Sequence, residues 1–226
     1  MAEIIPAILP KNYDELEGHL SEIVGLASVV QIDVCDGVFT AEKSWPYNKG
    51  GWEKFEALTK EQEGLPFWQD FDFEVHLMVA DPESEIEKWI VAGATRIIVH
   101  VEAVKDFGKL TKVLDGRAEL GLALNLETSA EKLEQFLGKV DFVLLMAIGQ
   151  IGQQGEKFDE KVLDKIKTLR SKYSDLVISV DGGVKIEIAK DLIKAGVSRL
   201  VVGSAIFSED DPRFSLRAFQ KLAAEK

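Results

Sequence analysis

Eight short apolar runs, spaced through the chain and separated by longer amphipathic stretches, limit the fold more than any other feature of this sequence. They read "EIIPAIL", "SVVQIDV", "DFEVHLMV", "TRIIVHV", "ELGLALNL", "DFVLLMAI", "LVISVDG" and "SRLVVGS". Each is rich in β-branched residues and nearly continuously apolar, the pattern of a strand buried on both faces. Helical patterns fall between them, among them "PESEIEKWIVAG", "DEKVLDKIKTLRSKY" and "KIEIAKDLIKAG". Several end in glycine, as a left-handed helix C-cap requires. The segments "EIVGLASVVQIDV", "WIVAGATRIIVHV" and "LIKAGVSRLVVGS" repeat one order of helix end, short turn and strand. Alternation of this kind predicts a parallel sheet covered by helices. Eight strands in 226 residues fit closure into a (β/α)8 TIM barrel better than an open doubly wound sheet. One domain over residues 1–226 is expected, because barrels commonly reach this length.

Composition narrows the setting. The N-terminus "MAEIIPAILPKNYDELEG" has no basic segment followed by an apolar core, and no apolar run approaches the roughly 18 residues of a membrane span. A soluble cytoplasmic protein is expected. Cys35 is the single cysteine, which excludes an internal disulfide and a thiolate metal cluster. The formal charge of -12 disfavours nucleic acid and anionic membrane as partners. A small anion held by backbone amides remains compatible, as does a homo-oligomer.

In a barrel, chemistry collects at the C-terminal strand ends. The second run offers Gln31 and Asp33 on one face, since side chains alternate along a strand. The third offers Glu74 and His76, the fourth His100 and Glu102, and the fifth Asn125. The seventh ends in Asp181, Gly182 and Gly183, and the eighth in Gly203 and Ser204. Singly, each acid reads as a cap or rim charge and each histidine as a core residue. Together, Asp33, His76 and Asp181 converge on one opening, where two carboxylates and an imidazole can bind a divalent metal or act as an acid/base pair. His19 falls in an early helix pattern and reads as a surface residue. "VDGGV" and "VVGSAIF" place glycine amides where barrels commonly hold phosphate. The connection "GVFTAEKSWPYNKGGWEKFEALTKEQEGLPFWQD" holds three of the four tryptophans and reads equally as a lid or as a packed loop.

The motifs "IIPAIL", "IDVCDGVF", "FEVHLMVADPE", "GLALNLET", "VDFVLLM", "ISVDGGV" and "VVGSAIF" resemble, in order and separation, the ribulose-phosphate 3-epimerase family across nearly the whole chain. The resemblance implies a barrel that binds one divalent metal (Mn, Fe, Zn or Mg) and interconverts D-ribulose 5-phosphate and D-xylulose 5-phosphate. It assigns Asp33 and Asp181 as the proton-transfer pair and as metal ligands, and His76 as a further ligand at the substrate. It assigns Gly182, Gly183, Gly203 and Ser204 to the phosphate, with Gly152 of the loop "AIGQIGQQGEKF" also against the substrate. It makes Asp36 and Gly37 a structural turn. Four departures stand out. Gln31 replaces a metal-binding histidine and offers a neutral oxygen better suited to Mg2+ or Mn2+ than to Zn2+. Ala7 replaces a serine, Cys35 replaces a methionine, and the loop after the sixth strand is longer. These departures keep two further readings open: a binding barrel without turnover, and an epimerase for a hexulose 6-phosphate.

Overall fold

A computed structural model describes residues 2–225. Strands β1 (Glu3–Ile8), β2 (Val29–Cys35), β3 (Asp72–Met78), β4 (Ala94–His100), β5 (Glu119–Leu124), β6 (Phe142–Met146), β7 (Ile178–Asp181) and β8 (Arg199–Val202) pair in sequence order, and β8 returns to β1. All pairings are parallel, so the barrel is closed. Around it lie α1 (Tyr13–Ile23), α2 (Gly51–Thr59), α3 (Ile86–Val91), α4 (Phe107–Leu114), α5 (Glu131–Glu134), α6 (Lys161–Lys172), α7 (Ile186–Lys194), the short α8 (Ser204–Phe207) and α9 (Pro212–Ala224). The expected (β/α)8 architecture is therefore present, each expected strand in its place.

Period-two alternation explains the continuous apolar runs. On β2, Val30, Ile32 and Val34 join the layer between barrel and helices, while Gln31, Asp33 and Cys35 belong to the other face. Inside the barrel, Ile5, Ala7, Ile98, Ala123, Leu144 and Val201 form a separate apolar cluster. Past their first residues the strands are largely buried on both faces, so an uncompensated polar group there is costly.

The base of the barrel carries charge. Glu74 is fully buried, with Arg96 Nη1 at 3.6 Å and Arg199 Nη1 at 3.9 Å, and burial raises its carboxyl to about 7 against these two cations. Arg96 also meets Glu119, and Arg199 meets Glu3.

At Trp45 the tryptophan-rich connection is a packed loop. It contains α2, and Trp45 is fully buried, with its ring 5.5 Å from Tyr13, 5.6 Å from Phe55 and 5.8 Å from Trp89. Its indole N–H donates to the Gly51 carbonyl. This residue fastens the connection beside the C-terminal ends of β1 and β2, where its backbone N–H donates to the Pro10 carbonyl and the Ser44 N–H to that of Cys35.

Candidate active site

Register places the polar residues level with one another. Asp33 pairs with His76 across β2 and β3, Gln31 pairs with Ala7 and Glu74, and Met146 pairs with Asp181 across β6 and β7. Asp33, His76 and Asp181, expected to converge, do so: each offers a ligand atom, and these atoms lie within 4.8 Å of one another. His76 Nδ1 is 3.0 Å from Asp33 Oδ1 and 3.6 Å from Asp181 Oδ2.

Gln31 stands between the acids. Its Nε2 donates to Asp33 Oδ1 at 2.7 Å and to Asp181 Oδ2 at 2.9 Å, while its Oε1 is buried with no hydrogen-bond partner. One amide thus bridges two carboxylates that would otherwise repel.

Burial and the neighbouring Asp181 carboxylate push the Asp33 carboxyl up, against hydrogen bonds from His76 and Gln31. Burial disfavours the His76 cation, but the Asp181 and Asp33 carboxylates outweigh it and hold the imidazole up to about 9. Behind His76, the Nε2 of His100 lies 2.9 Å from the Nε2 of His76. Burial pushes His100 down to about 4, despite Glu102 beside it. Burial opposes ionisation of Glu102 as well, yet the neighbouring His100 ring, the Thr128 side chain and the Asn125 backbone N–H lower it to about 2.

Asp33 and Asp181 face a small cavity of about 50 Å3, open at its mouth, to which Met78, Met146, Gly152, Gly182, Gly183, Gly203 and Ser204 also contribute. All the glycines expected at the phosphate are therefore in its wall. Gly183 has φ +65, and a Cβ there would lie 2.5 Å from the Phe158 nitrogen and 2.9 Å from the Glu156 carbonyl oxygen. Ser204 begins α8, where first-turn amides lack intrahelical acceptors. Gly152, at φ +84, packs against Thr40 and Cys35.

Other expected residues lie outside the cavity. Cys35 is buried, and burial raises its thiol to about 12. Asp36 accepts from the Val38 and Phe39 amides with Oδ1 and from Ala80 with Oδ2, which fixes the turn after β2 as expected. His19 lies on α1 beside Glu22 and Phe207, a surface position. Gln153, Gln154 and Glu156 line the cavity, and nothing in the sequence singles them out. Their loop stands out as altered, but its polar side chains have no period that marks them.

The donor set fits a divalent cation: two carboxylates and one imidazole, with an amide group whose oxygen lacks a partner. His76, Asp33 and Asp181 would hold such an ion, joined by Gln31 when its amide presents oxygen.

Fold and site together define a barrel with paired acids beside a glycine-lined rim, the arrangement of an isomerase. Residues 3–207 match the model of the ribulose-phosphate 3 epimerase family, and the chain belongs to that family. It is 32% identical to ribulose-phosphate 3-epimerase of Bacillus subtilis over 218 residues, covering 93% of this chain and 94% of the relative. Against the enzyme of that name from Aquifex aeolicus it is 30% identical, with 98% and 97% covered. Among solved structures, 3-hexulose-6-phosphate synthase from Salmonella typhimurium matches with a TM-score of 0.70 at 16% identity, covering 98% of each chain. Orotidine 5'-phosphate decarboxylase from Pyrococcus horikoshii matches at 0.67 and 16%, covering 99% and 100%. These two likenesses concern the fold alone. No helix among the described residues is long and apolar enough to cross a membrane.

Proposed function

We propose that the protein interconverts D-ribulose 5-phosphate and D-xylulose 5-phosphate by proton transfer at C3. The observation that carries this reading is the pairing of Asp33 and Asp181 through the Gln31 amide, on the floor of a cavity rimmed by glycine amides. The hydrogen on C3 lies next to a ketone, so its removal gives an enediolate, and protonation from the opposite face inverts the carbon. One carboxylate accepts that proton and the other delivers one. The raised proton affinity of Asp33 suits it to hold a proton between the two events. His76, with Nδ1 3.0 Å from Asp33 and 3.6 Å from Asp181, braces both carboxylates and, as the neutral imidazole, would hold a metal together with them. A divalent metal, when bound, would supply Lewis-acid stabilisation of that charge, worth several kcal/mol. The rim at Gly182, Gly183, Gly203 and Ser204 is suited to the phosphate, and Gly152 closes the side of the cavity. Family membership supports an isomerase, and the cytoplasm is its proposed setting.

The test is turnover. Purified protein as isolated, and with Mn2+, Fe2+, Zn2+ or Mg2+ added, is given D-ribulose 5-phosphate and, separately, a hexulose 6-phosphate. Formation of D-xylulose 5-phosphate supports the proposal. Faster turnover of the hexulose ester shifts the substrate, and binding by folded protein without turnover under any condition rejects catalysis.

A further inference from the structure

Two side chains behind the acid pair, the buried His100 and the partly buried Glu102, have no part in the reaction just described. His100 is fully buried beneath the Phe39 ring, whose centroid lies 4.9 Å away. Its own ring is 20° from coplanar with that of His76, with centroids 5.0 Å apart. That separation is close to the 2.9 Å between the Nε2 atoms plus two ring radii, so the rings meet tip to tip rather than face to face. On the far side of His100, Nδ1 lies 3.4 Å from Glu102 Oε2. That contact is long and not aligned as a hydrogen bond, yet neither atom has another partner. Glu102 is held in place by its other oxygen, which accepts from the Asn125 backbone N–H at 2.9 Å.

We infer that His100 and Glu102 are positioning residues that fix which nitrogen of His76 faces the acids with a free electron pair. The two Nε2 atoms are too close for both to hold protons or for both to present lone pairs. Glu102 decides between the two remaining arrangements. A carboxylate facing Nδ1 of His100 requires the proton there, because a lone pair would be repelled. His100 Nε2 is then an acceptor, and His76 must donate from Nε2. Nδ1 of His76, the atom 3.0 Å from Asp33, is thereby the one that exchanges a proton or takes a cation. His100 is fully buried, and a single proton on Nδ1 suits both of its contacts, the Glu102 carboxylate on one side and the Nε2–H of His76 on the other. The order runs from a carboxylate through two imidazoles to the reaction centre, the outer-shell logic by which a remote acid sets a ligand's tautomer.

This inference rests on the proposed use of the site, but its test needs no turnover. Nitrogen-15 NMR of the full-length protein with labelled histidine reads which ring nitrogens hold protons, and there are three rings to assign. The expected wild-type result for metal-free protein at pH 10, above the value of about 9 at which His76 gives up its charge, is His100 protonated on Nδ1 alone and His76 protonated on Nε2 alone. His100→Leu removes the acceptor and is expected to let His76 exchange its proton between both nitrogens, while His100→Gln, whose amide oxygen can accept at a similar reach, restores the wild-type pattern. Glu102→Gln, a smaller change, covers the case in which the leucine variant does not fold, and is expected to allow the reversed His100 tautomer. Mn2+ affinity should fall ~10-fold or more in His100→Leu and recover in His100→Gln. A proton on His100 Nε2 in the wild type overturns the inference. So does a His76 pattern unchanged in folded His100→Leu or, where that variant does not fold, in Glu102→Gln, whether or not the protein epimerises a sugar phosphate.

Discussion

Gln31 Nε2 lies 2.9 Å from Asp181 Oδ2, a hydrogen bond between residues 150 apart in sequence that ties β2 to β7 across the mouth of the barrel. The same nitrogen reaches Asp33 at 2.7 Å. This amide therefore decides how two buried acids coexist. Gln31→Leu removes the donor, and since that hydrogen bond lowers the proton affinity of Asp33, its loss raises it further. The acid limb of the kcat/KM profile should move to higher pH, as a pH titration of turnover reads directly. Gln31→His supplies a ligand nitrogen instead, and metal content after purification should rise, with Mn2+ affinity higher by ~10-fold or more. Equal metal content in both proteins would count against a metal role for this position.

The two acids should be separable by isotope. Asp33→Asn and Asp181→Asn are each expected to lower kcat by about 10²–10⁴, the range for losing a general acid or base, with a smaller change in KM. In deuterated water, a variant that keeps the acid facing one substrate epimer should still exchange the C3 hydrogen of that epimer while failing to invert it. Exchange from both epimers in either variant would mean that one carboxylate does both jobs.

His76 links the site to stability. In protein freed of metal by a chelator, its imidazole titrates at about 9 in the fold against an ordinary 6.5. The folded state holds the proton more tightly. Its contribution is complete below about 6.5 and is lost as pH rises through about 9. Urea unfolding of the metal-free protein should therefore show stability falling over that interval, by on the order of 3 kcal/mol at most. In His76→Gln the same interval should be flat, apart from groups such as Glu74 whose raised value acts at lower pH. A slope retained in the variant assigns the effect elsewhere.

Much of this is legible in the chain, and the reasons are physical. Continuous apolar runs mark strands buried on both faces, and a period of two is enough to put Gln31 and Asp33 on one side of β2. The convergence of Asp33, His76 and Asp181 follows from strand ends meeting at one rim. The bridge from Gln31 to Asp181 is not legible there, because the distance between β2 and β7 depends on the tilt and closure of the whole barrel. The head-on meeting of His76 and His100 is hidden likewise: both lie on recognisable strands, but contact between rings depends on rotamers. The role of Trp45 is ambiguous in sequence because a buried tryptophan and a lid tryptophan look alike in a loop.

Trp45→Ala tests that structural role. A fully buried indole packed against Tyr13, Phe55 and Trp89 leaves a large void, with an expected cost of about 3–5 kcal/mol in urea unfolding. At temperatures where the variant is folded, kcat should stay within a few-fold of wild type, since the residue lies outside the barrel. A loss of turnover much larger than the loss of folded protein would restore the lid reading.

Gly183 carries the last prediction, because its neighbours leave no room for a side chain. A methyl group there meets backbone atoms of Phe158 and Glu156 rather than the yielding tip of a side chain. Gly183→Ala must therefore displace the loop after β6 from the glycine turn after β7, in addition to holding a left-handed conformation that costs on the order of 1–3 kcal/mol. Gly155→Ala is the control: its φ of +82 imposes similar strain, but no atom lies within 4 Å of the added carbon. If the turn amides hold the phosphate, Gly183→Ala should raise KM for the sugar phosphate and weaken inhibition by inorganic phosphate, each ~10-fold or more, the loss of about 1.4 kcal/mol of binding. Gly155→Ala should lose stability with a smaller change in either constant. Equal effects from the two substitutions would show that strain, not the fit between loop and turn, governs binding, and would move the phosphate away from Gly183.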